Sequence, residues 1–183
     1  RIGRISGYEE AARYVIDTSS SPVVFVHGHA HGQFIYFMRV LDPERRFVVL
    51  RGDKLIASSS ISYENRLQVH LESPEEMAQT FSELGVQWLV VESDEKSKIK
   101  AFSELRRLLR EHPSFVLKKS ISLKSNYPRF KDQSLLIYEN LQHLNPKQNT
   151  VLNLRLPVVG KTIQAPLKDI LSHPIPQSPD RMQ

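Results

Sequence analysis

The chain has 183 residues, 40% of them hydrophobic and 25% charged, with a formal net charge of +5 and no cysteine. That size and balance suit one domain with its own core. The missing cysteines exclude disulfides, thiolate catalysis and Cys-ligated zinc, and no stretch is long and apolar enough to span a bilayer.

No signal peptide is visible. Because the chain opens on Arg1, we expect an excised fragment or a processed product. The basic residues are dispersed. Their densest cluster is "ELRRLLREH", where Arg106, Arg107 and Arg110 alternate with Leu105, Leu108 and Leu109. That is the wet face of an amphipathic helix, so no nucleic acid is expected as a partner.

Taken in chain order, Tyr8, Ala11, Ala12 and Val15 fall at i, i+3, i+4, i+7 spacing and predict a helix over 8–17. "VVFV" (23–26) is a continuous apolar run, as in a strand buried on both faces. Gly28 and Gly32 bracket a turn. The next helix carries Phe34, Phe37, Met38 and Leu41 on one side and stops at Asp42-Pro43. "FVVL" (47–50) is a second strand, and "RGDK" reads as a charged turn.

"SSSIS" reads as loop and "LQVHL" as a short strand. Ser73, Pro74, Glu76 and Gly85 supply the cap, first position, capping box and stop of another helix. "VQWLVVE" (86–92) is a third buried strand, and "KSKIKAFSELRRLLREH" a long helix. "FVLKKSISL" (115–123) and "SLLIYEN" (134–140) are joined by a short polar linker, which favours a hairpin.

Alternating strands and helices predict an α/β domain over 1–144. We expect a three-layer αβα Rossmann-like sandwich, its sheet mostly parallel with an antiparallel edge hairpin. Residues 145–183 form a Pro-rich extension. "VLNLRLPVVGKTI" is expected to make a small extended pair, and "HPIPQSPDRMQ" to be disordered.

Ligands of parallel sheets sit beyond the carboxyl ends of the strands, near the reversal of strand order. That places His27, His29, Arg51, Asp53, Lys54 and Glu92 at the candidate ligand-binding lip. In an extended segment His27, His29 and His31 would project together, as a metal site needs. The segment is Gly-flanked and has no local acidic ligand, so no metal is expected. "GHAHG" places backbone N–H groups at a helix start, which favours anions. It lacks both the G-x-G-x-x-G order and the Lys-Ser/Thr end of a P-loop, so no nucleotide cofactor is expected. No serine stands in a nucleophile elbow, and no catalytic residue is assigned.

"ISGYEEAARYV", "VVFVHGHAHGQFIYFMRVLDPERRFVVLRGDKL", "GVQWLVVE" and "PLKDIL" after a Pro-rich segment form an ordered set from Ile5 to about Leu167. The set resembles the soluble region that follows the membrane helices in bacterial polytopic glycosyltransferases of the protein-mannosyltransferase-like superfamily. The resemblance implies a membrane-anchored parent using a polyprenyl-phosphate-linked sugar, with its catalytic acids outside this chain. The domain itself would be extracytoplasmic (periplasmic) and non-catalytic. It would position an acceptor or bind a partner, working beside the membrane-embedded portion of the same polypeptide. Two other readings remain open: a free-standing module binding a phosphate-bearing small molecule, and a protein-interaction domain.

Overall fold

The computed structural model describes residues 5–59, 67–93, 99–144, 151–156, 161–166 and 169. It is a mixed α/β structure with a five-stranded mixed sheet and five helices among the described residues. After the short strand β1 (Ile5–Ser6) come α1 (Tyr8–Thr18), β2 (Val23–His27), α2 (His31–Leu41) and β3 (Val48–Arg51). The single turn α3 (Gly52–Leu55) leads into β4 (Ala57–Ser59) and β5 (Leu67–Val69), an antiparallel pair. Then follow α4 (Pro74–Glu83), β6 (Val86–Glu92), α5 (Lys100–Glu111), β7 (Phe115–Ser122), β8 (Lys124–Ser125) and β9 (Ser134–Asn140). Ser58 and Ser59, read from sequence as loop, belong to β4, while residues 60–66 lie outside the described residues.

The main sheet runs β3-β2-β6-β9-β7. β2 pairs parallel with β3 and with β6, whereas β9 pairs antiparallel with both β6 and β7. The expected mostly parallel sheet is therefore corrected to a mixed one, with as many antiparallel as parallel pairings. The expected antiparallel edge pair is present: β9 lies against β6 and β7 is outermost. Side-chain chemistry explains the order. β9 carries Leu135 and Ile137 toward one core and Tyr138 toward the other, so it needs cover on both faces. β7 carries Lys118 and Lys119, which suit an edge and deter pairing with other chains.

Alternation along the strands feeds two cores. Val23, Phe25, Leu89 and Val91 join residues of α4 and α5 in one cluster. Val24, Val26, Trp88 and Val90 join residues of α1 and α2 in the other. Phe25 meets Phe81 of α4 edge-on, with ring centroids 4.9 Å apart. β6 is buried along its whole length, including Gln87. The Gln87 amide oxygen accepts from the backbone N–H of Ser20 at 2.7 Å and of Ser21 at 3.1 Å, which fixes the "TSSSP" turn before β2.

Helix ends follow their sequence signals. The Ser73 hydroxyl accepts from the Glu76 N–H at 3.1 Å, and Pro74 starts α4. Glu76 reaches back one residue further than a standard capping box and accepts from the N–H of Glu72. In α5 the leucines 105, 108 and 109 are buried while Arg107 and Arg110 are exposed. β10 (Val151–Leu156) and β11 (Lys161–Pro166) form the expected extended pair, antiparallel from Val151↔Pro166 to Leu156↔Lys161. "HPIPQSPDRMQ" lies outside the described residues.

Candidate functional site

From β2 the chain steps to one neighbour, β3, and later returns to the other side as β6. Strand order thus reverses between β2 and β6. The crevice beyond their carboxyl ends is where a ligand of such a sheet would sit. Residues 28–30 and Glu92 meet there, and the chain itself occupies that position.

Glu92 is 2% exposed. Its Oε1 accepts from the Ala30 N–H at 2.8 Å and from the Tyr8 hydroxyl in a short hydrogen bond. Ala30 is the N-cap of α2, so the carboxylate sits where the positive end of the helix dipole would draw an anion. Burial, reinforced by the Glu92 charge and its hydrogen bond, pushes the Tyr8 hydroxyl well above the usual tyrosine range. Oε2 of Glu92 is buried and meets no hydrogen-bond partner among the described residues.

The fit requires glycine at position 28. A Cβ there would lie 2.5 Å from the Glu92 Cδ and 2.6 Å from its Oε1. Gly28 therefore serves the close approach of an internal carboxylate, in the role that a dinucleotide fold gives to pyrophosphate.

The three histidines diverge because the segment after His27 curls instead of staying extended. His27 stacks on Phe102 of α5, centroids 4.0 Å apart and 25° between planes. Gly52 backs it, since a Cβ there would fall 2.7 Å from the His27 Nδ1. Burial, with the nearby Arg106 charge, pushes the His27 imidazole down to about 4. Nδ1 of His31 lies 2.7 Å from the Gly28 carbonyl, and its Nε2 is 4.0 Å from Asp53. His29 turns outward, with an Arg129 nitrogen 2.7 Å from its Nε2. Among the described residues no group of three or more His, Asp or Glu side chains is placed to hold a metal ion.

Arg51 and Asp53 face each other as a fork, at 2.9 Å from Nε to Oδ1 and 2.5 Å between the second pair of atoms. Burial raises the Asp53 carboxyl, but the Arg51 hydrogen bonds and charge, with His31 and Lys54, outweigh it and hold the group below its usual value. Lys54 adds its charge from the adjacent turn of α3.

The structure thus brings His27, Arg51, Asp53 and Lys54 to the ends of β2 and β3, places Glu92 in the crevice, and sends His29 toward the β7–β9 linker. Sequence reasoning missed Tyr8, Gly52 and Arg129 as lip residues. Tyr8 was legible only as a core position. The signal for its second role is a glutamate at the end of an otherwise buried strand, which must find donors.

No family model matches the chain, and no similar curated protein or solved structure was found.

Proposed function

We propose that the chain is a non-catalytic accessory domain, extracytoplasmic, of a membrane glycosyltransferase that uses a polyprenyl-phosphate-linked sugar. In this reading it positions the acceptor or binds a partner beside the membrane-embedded portion of the same polypeptide. The sequence resemblance supplies the parent. The observation that carries the accessory role is the internal pairing at the lip: Glu92 is held by Tyr8 and Ala30, and Arg51 by Asp53.

At finer grain we read the fold as a three-layer Rossmann-like sandwich. The two core clusters, one shared with α1 and α2 and the other with α4 and α5, support that reading. The competing module for a phosphate-bearing small molecule is disfavoured, because Glu92 already fills the N-terminus of α2.

An antibody against the domain, used on fractionated cells that make it, tests the proposal. The expected result is a polypeptide well above 21.1 kDa that resists alkaline carbonate extraction and is cut by protease added outside the cytoplasmic membrane. A 21.1 kDa species in the soluble fraction contradicts it.

A further inference from the structure

The linker between β7 and β9 spans residues 123–133. Lys124, Tyr127, Arg129 and Lys131 are all exposed on it, with Tyr127 at 46%. Asp132 is the one acidic side chain of that segment, which leaves it net cationic. The segment is well anchored. Phe130 is buried in the core shared with α1 and α2, and a 3₁₀ turn spans Pro128–Phe130. The Phe130 N–H donates to the Tyr127 carbonyl at 3.0 Å, and the Gln133 amide donates to the Arg129 carbonyl at 2.9 Å. His29 braces Arg129 from the turn after β2.

β8, at the start of this linker, pairs with β1: Ile5 lies opposite Ser125 and Ser6 opposite Lys124. The Ser6 hydroxyl also donates to the Lys124 carbonyl at 3.3 Å. The described chain therefore enters the domain directly beside the cationic linker. In the proposed function the membrane-embedded portion lies upstream, so this side of the domain faces the bilayer.

We propose that the linker carrying Lys124, Tyr127, Arg129 and Lys131 docks on an anionic lipid surface, its cations meeting lipid phosphates and Tyr127 lying at headgroup depth. The inference rests on the accessory-domain reading above. Its chemistry is general: basic side chains are drawn to anionic headgroups, and tyrosine prefers the membrane–water interface. The firm anchoring of the segment lowers the ordering cost of docking.

Sedimentation of the chain with phosphatidylcholine vesicles, with and without phosphatidylglycerol, tests this surface. Binding is expected only to the anionic vesicles and should weaken with salt. Lys124→Gln with Lys131→Gln should lower the partition coefficient about 30-fold, roughly fivefold per charge lost. Arg39→Gln with Arg107→Gln removes the same charge from exposed sites on α2 and α5 and should leave binding unchanged. Tyr127→Ser should weaken binding without altering its salt dependence. Absence of vesicle binding, an equal loss in both charge pairs, or equal affinity for duplex DNA at the same ionic strength would overturn the proposal. Carbonate extraction reads the parent assignment separately, so a domain found in a large membrane polypeptide that ignores vesicles sinks this surface alone.

Discussion

Gly28 and Glu92 show how one side-chain decision propagates at the lip. A methyl group at position 28 would collide with the Glu92 carboxyl, whose Oε1 is held on two donors and cannot yield cheaply. Gly28→Ala is therefore expected to lower stability by about 1–3 kcal/mol, the usual cost of overpacking, read as a lower urea midpoint with an unchanged slope. His27 gives a pH signature. Its folded value of about 4 lies below the ordinary histidine value, so the folded state favours the neutral ring. The associated stability is fully present above pH ~6.5 and is lost as pH falls from there toward about 4, because the unfolded chain takes up the proton first. The full span corresponds to about 3 kcal/mol. Urea midpoints measured across that window should fall in the native chain, and the fall should be smaller in His27→Phe, which keeps a ring against Phe102.

At the scale of elements, β7 and β9 divide the labour of one antiparallel pair. β9 is buried on both faces, while β7 keeps its lysines at the margin, where Lys118 meets Glu139 at 3.0 Å and Lys119 meets Glu10 at 2.8 Å. Lys118→Val with Lys119→Val should change monomer stability little, since such pairs contribute about 0–1 kcal/mol. It should promote self-association by exposing a pairing edge. Light scattering across concentration reads this, and a variant that stays monomeric at every concentration counts against the edge argument. The element order was legible because apolar runs such as "VVFV" and "VQWLVVE" differ in kind from the 3.6-period faces of α1, α4 and α5. The place of β9 was not legible as read, because hairpin length constrains which strands pair but not which of them lies outermost. The contrast between "SLLIYEN" and the lysines of "FVLKKSIS" held that information. The lip was legible as a location and not as an arrangement. His27, Arg51 and Glu92 end neighbouring strands as expected, with Asp53 and Lys54 just after β3 in α3, whereas the Tyr8 contact joins residues 84 positions apart and leaves no local spacing to read.

At the scale of the whole molecule, two cores share one sheet, and the crevice where strand order reverses is plugged from within. Among the described residues no helix is long and apolar enough to cross a membrane, so in the proposed function the membrane-spanning chain is supplied by the rest of the parent polypeptide. A domain whose most ligand-like position is occupied by its own carboxylate suits a scaffold that presents surfaces, and the basic linker is the surface we assign. The Tyr8–Glu92 hydrogen bond ties α1 to β6 across the lip. Equilibrium urea unfolding of the native chain, Tyr8→Phe, Glu92→Gln and the double variant measures how much it contributes. Each single change is expected to lower stability, and the two to couple by about 1–3 kcal/mol. Single changes that leave the midpoint unmoved, or effects that simply add, would contradict it.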